Sequence, residues 1–197
     1  MFISFEGLDG CGKTTQAAML ADALEADGMR IVRVREPGGT PAGERIRTLL
    51  LDPGATISPV AEALLYAAAR AQLMDDVIRP ALAEGAHVVA DRFVDSSLAY
   101  QGVARGLGID PVLEVNRFAT GDLFPDRTLL LRLSGEEASR RRDAEPDRIE
   151  AEGDGFQAEV ARGFEELAVR FPHRIVEVDA SGSPDDVLAR VRTAVGV

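Results

Sequence analysis

Residues 7–14 of the chain read Gly-Leu-Asp-Gly-Cys-Gly-Lys-Thr and match the pattern G-x-x-x-x-G-K-[ST] at every fixed position. An apolar-rich run over residues 1–5 precedes this segment, and a helical pattern follows it from residue 14. A strand, a glycine-rich turn and a helix N-terminus together form a cradle of backbone N–H groups that binds phosphate. A chance glycine-rich turn does not account for this context. The sequence therefore predicts a nucleoside triphosphate site.

The side chains of this loop have separate expected roles. We expect Lys13 to be an exposed charge that reaches the β- and γ-phosphates of ATP, and Thr14 to help hold Mg²⁺. For Cys11 two interpretations stay open: helix N–H groups could make its thiol reactive, or the position merely needs a small side chain. The predicted ATP-binding residues are Gly7, Leu8, Asp9, Gly10, Cys11, Gly12, Lys13, Thr14 and Thr15.

The composition excludes several classes of partner. A net charge of −11 disfavours nucleic acid and anionic membrane surfaces. No run of 18 apolar residues is present that could span a bilayer, and the first residues do not resemble a secretory signal. One cysteine forms no internal disulfide, and with two distant histidines it forms no ordinary zinc site. We expect a cytoplasmic protein without a nucleic-acid or membrane partner.

Apolar strands alternate with helical patterns along the chain. Five short strands separated by helices predict an α/β fold, with a five-stranded parallel sheet covered by helices on both faces. The phosphate loop would lie at the carboxyl end of the first strand, as in P-loop NTPases. We expect one domain over residues 1–197. The predicted strands are 2–6, 30–34, 87–90, 128–133 and 174–178, and the predicted helices are 14–26, 42–51, 59–85, 96–104, 111–120, 135–142, 155–170 and 184–195.

Asp91 and Arg92 follow the predicted strand at residues 87–90. Asp91 lies at the carboxyl end of that strand. An aspartate at this position is typical of a second group on the Mg²⁺ side of the site in P-loop enzymes. The alternative is an aspartate that caps the next helix. Arg92 is expected to face the same region and to bind a phosphate, because its planar guanidinium is suited to bidentate contacts with oxygens.

A basic cluster at residues 140–142 stands out in this acidic chain, and mixed charges with a proline follow it up to Arg148. Such a run is often a solvated helix face, and that interpretation stays open for Arg140. Pro146 and the alternating charges indicate an exposed flap between two helices. A flap that carries guanidinium groups in an NTP enzyme suggests a short lid, over about residues 141–152, that closes on the transferred phosphoryl group.

Several segments together resemble the thymidylate kinase family, in the family's order. They are Phe5-Glu6-Gly7 with the loop up to Gln16, Arg35-Glu36-Pro37-Gly38-Gly39-Thr40 with Glu44-Arg45-Ile46-Arg47, Tyr66-Ala67-Ala68-Ala69-Arg70, Asp91-Arg92-Phe93 with Ser96-Ser97-Leu98-Ala99-Tyr100-Gln101-Gly102, and Asp147-Arg148-Ile149-Glu150. The resemblance implies phosphorylation of dTMP to dTDP by ATP with Mg²⁺, in support of dTTP synthesis. It also implies a homodimer, formed through the long apolar-rich helices.

The resemblance implies a role for each matching residue. Arg70 would contact the carbonyl edge of thymine, and Arg92 would hold the phosphate of dTMP. Because the loop contains no arginine, the catalytic cations would be Lys13 and Arg92 with Arg142 and Arg148 of the lid, as in the bacterial type. The implied substrate-binding residues are Asp9, Glu36, Arg47, Tyr66, Arg70, Arg92, Ser97, Tyr100 and Gln101, and the implied metal-side residues are Thr14 and Asp91.

Simpler interpretations of these residues remain open. Tyr66 and Arg70 are i, i+4 neighbours and could form a cation–π pair on a helix. Ser97 and Gln101 have the same spacing and could form a solvated face. At the level of function, the alternatives are a P-loop kinase for another nucleotide or deoxynucleoside, and a nucleotide-gated switch or partitioning ATPase that serves a partner protein.

Overall fold

The computed structural model describes residues 1–133, 137 and 147–197. Within them, five strands form one parallel sheet in the order β2-β3-β1-β4-β5. This arrangement confirms the predicted sheet. The strands are β1 (Phe2–Glu6), β2 (Ile31–Arg35), β3 (His87–Asp91), β4 (Arg127–Arg132) and β5 (Ile175–Asp179).

Strand β1 lies in the middle of the sheet and is buried along its whole length. Its side chains alternate between faces, with Phe2 and Ile3 in two different apolar clusters. Strand β1 pairs with β3 on one side and with β4 on the other. The strand order therefore changes direction at β1, since β2 and β3 lie to one side of it and β4 and β5 to the other. Loops at the carboxyl end of such a strand open into a crevice where ligands bind. The phosphate loop leaves the sheet at this point.

Helices cover both faces of the sheet. Pro59 and Pro184 stand in the first turns of two of them, where a missing N–H costs nothing, and the hydroxyls of Ser58 and Ser183 accept from backbone N–H groups as N-caps. The helices are α1 (Lys13–Ala26), α2 (Pro41–Leu51), α3 (Pro59–Leu73), α4 (Arg79–Ala83), α5 (Val94–Ser97), α6 (Ile109–Thr120), α7 (Asp154–Arg170) and α8 (Pro184–Val195). The predicted helix at 135–142 lies outside the described residues, apart from the isolated residue 137.

Two predicted helices are less regular than expected. The helix predicted over 59–85 consists of α3, a π-helical segment (Met74–Ile78) and α4. Pro80 follows this segment closely and has no N–H for a regular helical hydrogen bond, which sequence periodicity alone does not reveal. The helix predicted over 96–104 is α5 followed by a second π-helical segment (Leu98–Ala104).

Two apolar clusters pack against opposite faces of the sheet. One includes residues of α3, α6 and α7, such as Leu73, Val112 and Leu167. The other includes residues of α1 and α8, such as Leu20 and Val191. In the part of the chain that the structure describes, no helix is both long and apolar enough to cross a membrane.

Candidate functional site

The phosphate loop joins β1 to α1 through three glycines with positive φ. A Cβ on Gly7 would lie 2.6 Å from the carbonyl oxygen of Leu131, so a side chain does not fit there. Gly12 has φ 95° and is the residue at which α1 begins. Glycine is therefore required where the backbone turns to present the helix N-terminus.

A cavity of about 880 Å³ opens in front of this loop, large enough for a nucleotide ligand. Most predicted site residues line it, namely Asp9, Gly10, Cys11, Gly12, Lys13, Thr14, Thr15, Glu36, Arg47, Tyr66, Asp91, Arg92, Ser97, Tyr100 and Gln101. Gly7 and Leu8 of the loop, Arg70 and Arg148 are not among the residues that line it. Thus residues from four separate segments converge on one cavity.

Lys13 is buried, with 6% of its side chain exposed, so the expectation of an exposed charge is wrong. Its ammonium donates to the carbonyl oxygen of Leu8 at 2.8 Å and lies 3.6 Å from Asp9. The loop folds back over the lysine stem, which local sequence does not show. Lys13 is also the only lysine in the chain. All other basic side chains are arginines, apart from two histidines. The single lysine ammonium of the chain thus lies on the phosphate loop, where phosphates would bind.

Cys11 is buried within the apolar cluster on the α1 face of the sheet. Its Sγ lies 3.9 Å from Nζ of Lys13. A Cβ on Gly7 would approach this sulfur to 2.9 Å, so the loop packs closely around the thiol. This packing favours the interpretation that the position needs a small side chain, and the reactivity of the thiol stays a prediction.

Thr14 and Asp91 form the predicted metal-side pair. The Thr14 hydroxyl donates to Oδ2 of Asp91 at 2.5 Å. The capping alternative for Asp91 is wrong, since α5 begins at Val94 without a side-chain cap. Among the described residues no group of three or more His, Cys, Asp or Glu could hold a metal. A hydroxyl and one carboxylate nevertheless fit Mg²⁺, which takes one or two side-chain oxygens and completes its shell with phosphates and water.

Asp9, Arg92 and Tyr100 form a second charged group in the cavity. Arg92 pairs with the carboxylate of Asp9, and the Tyr100 hydroxyl donates to the other oxygen of Asp9 at 3.2 Å. Burial raises the pKa of Asp9, but the charges of Arg92 and Lys13 outweigh burial and hold it well below its ordinary value. The Arg92 guanidinium also lies over the Tyr100 ring, 5.3 Å from its centroid. This group therefore presents a fixed cation and a fixed anion.

Arg70 has all five of its N–H donors engaged. Nε and Nη2 donate to the two carboxylate oxygens of Glu36, and Nη2 also donates to the carbonyl oxygen of Phe93. Nη1 donates to Ser97 and Asn116. The side chain is 1% exposed. A contact with thymine would therefore require Arg70 to exchange one of these acceptors for the base.

The two simpler interpretations made from helix spacing are wrong. The aromatic ring under the Arg70 guanidinium is that of Phe93, at 5.2 Å, and Tyr66 instead lines the cavity. Ser97 and Gln101 are both 2% exposed, so they do not form a solvated face. Periodicity identified neighbours on one helix, whereas the partners of these side chains come from other elements.

Arg47 lines the cavity from α2, as expected for a substrate-binding residue. Its Nη1 donates to the carbonyl oxygen of Pro37 at 2.9 Å. Burial, followed by the like charge of Arg35, lowers the pKa of Arg47. An anion at this position would offset both effects.

Arg148 does not reach the cavity lining. Its Nη2 donates to Oε2 of Glu62 at 2.7 Å, and its Nε donates to the carbonyl oxygen of Leu50 at 2.7 Å. Glu62 is fully buried and also accepts from Gln101 and Arg105. The other predicted lid arginine, Arg142, lies outside the described residues, as do residues 141–146 of the predicted lid.

The residues in and around the site that were missed from sequence include Glu6, Glu62, Ser96 and Asn116. Two of them carry a readable signal. Glu6 is a charged residue at the end of the apolar strand β1. Glu62 precedes Tyr66 and Arg70 by four and eight residues, which places all three on one face of α3. Ser96 and Asn116 show no comparable signal.

The parallel sheet and the glycine loop before α1 define a P-loop nucleotide-binding protein of the α/β class. The family model described as thymidylate kinase matches residues 5–191. The chain therefore belongs to the thymidylate kinase family.

Individual relatives agree with this assignment. The chain is 50% identical to the thymidylate kinase of Gloeobacter violaceus over 100% of this chain and 95% of the relative. It is 51% identical to that of Thermoanaerobacter sp. over 90% of this chain and 88% of the relative. A crystal structure of thymidylate kinase from Ehrlichia chaffeensis matches with a TM-score of 0.81 and 31% identity, covering 100% of this chain and 98% of that one.

Proposed function

We propose that the protein transfers the γ-phosphoryl group of ATP to dTMP, giving ADP and dTDP for dTTP synthesis. The observation that carries this proposal is the presence of two cationic groups in one cavity. Lys13 lies on the phosphate loop, whereas Arg92 and Arg47 come from other segments and line the same cavity. A switch or partitioning ATPase needs only the first group. A kinase that acts on a nucleoside monophosphate needs a second anion site.

The reaction requires little beyond geometry and charge. The phosphate of dTMP is already anionic near pH 7, so no general base is needed. Lys13 and the lid arginines would stabilise the charge on the transferred group, and lid closure would keep water from hydrolysing ATP. Thr14 and Asp91 would hold Mg²⁺, which supplies neutralising charge to the phosphates when bound.

The walls of the cavity suit a deoxynucleotide acceptor. Asp9 and Arg92 would hold the sugar and phosphate end, and Tyr100 would lie under the sugar. Tyr66, Ser97 and Gln101 line the cavity where the base would lie. Arg70 would meet the thymine carbonyl edge after releasing one of its present acceptors.

We further propose a cytoplasmic homodimer of single-domain subunits. Its interface would lie on the outer surface of α2 and α3. Val60 and Leu64, one turn apart on α3, are 57% and 52% exposed, and Leu49 of α2 is 46% exposed. Large apolar side chains grouped on adjacent helices are typical of a protein interface.

A phosphoryl-acceptor screen tests the proposed function. The full chain is incubated with Mg·ATP and, separately, with dTMP, other nucleoside monophosphates, thymidine and no acceptor, and products are separated by chromatography. We expect rapid formation of dTDP and ADP only when dTMP is present. A preference for another nucleotide or a deoxynucleoside would support the other kinase alternative. ATP hydrolysis at the same rate without an acceptor would support the switch.

A further inference from the structure

The carboxylate of Glu6 is fully buried at the carboxyl end of β1. It accepts from the backbone N–H of Phe93 at 2.7 Å and from the hydroxyl of Ser96 at 2.6 Å. Both donors belong to the segment that follows Arg92. A carboxylate is costly to bury unless it accepts hydrogen bonds. Because these two donors stabilise the buried carboxylate, they also fix the position of the segment that supplies them.

The Ser96 hydroxyl has a single proton, and a carboxylate can only accept. Ser96 therefore donates to Glu6 and keeps its lone pairs for other donors. Nη1 of Arg92 donates to the Ser96 hydroxyl oxygen at 2.9 Å. The hydrogen bonds thus run in one direction, from Arg92 to Ser96 to Glu6, and the direction is set by the carboxylate.

The backbone of Arg92 needs such support. Its φ is 70°, a left-handed conformation that costs a non-glycine residue free energy and persists only where its surroundings impose it. Glu6 holds the next residue, Phe93, through its N–H. The same carboxylate therefore restrains both the backbone and the guanidinium of Arg92.

We propose that Glu6, acting through Ser96, is a positioning residue that sets Arg92 for the phosphate of the acceptor nucleotide. This inference rests on the proposed function, since it assigns Arg92 to that phosphate. Glu6 itself is not among the residues that line the cavity, so it would not touch a substrate bound there. Its effect would therefore appear in the binding of one substrate and not of the other.

The two hydrogen bonds from Arg92 to Ser96 and from Ser96 to Glu6 form a relay. This relay requires Glu6 to be ionised. A protonated carboxyl would present its proton either to the Phe93 N–H, donor against donor, or to Ser96, whose own hydroxyl proton would then lose its acceptor and its fixed direction. Burial and the charge of Asp95 raise the pKa of Glu6 to about 7, while Arg92 and the hydrogen bonds from Ser96 and Phe93 oppose the rise. Arg174, paired with Asp95, is a further charge that acts on Glu6. The relay would thus weaken as the pH falls below about 7.

The test compares the wild type with Glu6→Gln, Ser96→Ala and the double variant, in the full chain. KM and kcat are measured for dTMP and for ATP, with thermal unfolding in parallel. We expect each single variant to raise KM for dTMP about 10- to 100-fold, the effect of losing a hydrogen bond to a charged group. KM for ATP should change less than about threefold. The double variant should be no more impaired than the more impaired of the two single variants, because both act through one relay.

Ser4→Ala is the matched control. Ser4 lies on the same face of β1, and its buried hydroxyl is bonded to Thr128 at 2.9 Å, away from Arg92. We expect this variant to lose stability while KM for dTMP stays unchanged. If Glu6→Gln behaves in the same way, Glu6 has only a structural role. If the effects of Glu6→Gln and Ser96→Ala multiply, the relay is wrong.

The pH dependence gives an independent readout. The ratio of kcat/KM for dTMP between the wild type and Glu6→Gln should fall as the pH is lowered from 8 to 6. Titration of dTMP itself cancels in this ratio. A constant ratio over this range would overturn the relay. A wild type that does not phosphorylate dTMP would instead refute the proposed function, which is a separate result.

Discussion

Arg148 donates to Glu62 at 2.7 Å, and this contact joins the segment that precedes α7 to the buried face of α3. The Arg148 side chain is 10% exposed and Glu62 is fully buried. To act on a phosphoryl group, Arg148 must exchange this carboxylate for the charge of the substrate. Since charged partners compete for one guanidinium in such an exchange, we expect substrate binding and the release of Arg148 to be coupled.

Arg148→Ala should lower kcat far more than it weakens binding of either substrate, because the guanidinium acts mainly on charge that develops in the transition state. By analogy with arginine fingers, the loss is on the order of 10³-fold. Arg105→Ala is the matched control, since Arg105 also pairs with Glu62, at 3.1 Å. An equal loss in both variants would assign the effect to Glu62. If kcat barely moves, Arg142 is the catalytic lid residue or the flap is merely solvated.

Lys13→Met should abolish detectable phosphoryl transfer while the fold survives. Because Lys13 is buried and bonded to Leu8, some loss of thermal stability accompanies the change. Arg30→Met is the control, since Arg30 is 63% exposed and its removal should leave activity intact. Near-native turnover by Lys13→Met would contradict the phosphate-loop assignment.

The single lysine also allows a direct binding measurement. Amine-directed acylation can modify only Lys13 and the terminal amine, because the chain contains no other lysine. ATP should protect Lys13 from the reagent while the terminal amine reacts as before. Equal labelling with and without ATP would place the phosphates elsewhere.

Arg70→Ala should lower the free energy of unfolding by about 3–5 kcal/mol, because it leaves the buried carboxylate of Glu36 without its cation. Burial raises the pKa of Glu36, although Arg70 opposes the rise. Chemical denaturation measures the loss, and Arg70→Ala/Glu36→Gln should recover part of it. The exposed pair Arg79–Asp75 provides the control, since Arg79→Ala should cost less than about 1 kcal/mol.

Glu6 should make stability depend on pH in an unusual direction. Burial raises its pKa from 4.5 to about 7. Between these values the folded protein retains a proton that the unfolded chain has released, so its stability falls as the pH rises. Relative to Glu6→Gln, the wild type should lose up to about 3 kcal/mol between pH 4.5 and 7. The lowered pKa of Asp9 acts in the opposite sense but only below about pH 4. Denaturation at several pH values checks the slope.

The fold and the phosphate loop could be predicted from the sequence because both depend on residues that are close together in the chain. The loop glycines directly follow β1 and precede α1. Asp91 could be placed because it ends an apolar strand, and the carboxyl ends of parallel strands meet at one edge of the sheet. The contacts of Arg70 and Arg148 could not be predicted, since their partners Glu36 and Glu62 are 34 and 86 positions away. Burial of a charged side chain depends on elements that meet only in the folded chain.

The choice of acceptor nucleotide tests the other end of the cavity. Tyr100 is 6% exposed and held by Asp9, so its ring cannot easily move aside. If it lies under the sugar, it rejects ribonucleotides by excluding the 2′-OH. Discrimination against dUMP should be weaker, about 10–200-fold, because a missing methyl is worth only about 1–3 kcal/mol. Arg70 should reject dCMP more firmly, since the cytosine amino group would oppose a guanidinium donor.

The expected order of kcat/KM at fixed Mg·ATP is therefore dTMP first, dUMP detectable, and dCMP and ribo-TMP poor. Tyr100→Phe should keep the exclusion of ribo-TMP because the ring remains, whereas Tyr100→Ala should relax it. If both variants accept ribo-TMP, the hydroxyl and not the ring excludes the ribose, and if both still reject it, Tyr100 does not lie under the sugar. If dCMP or a ribonucleotide is the best acceptor of the wild type, the thymidylate assignment fails even though the kinase assignment stands.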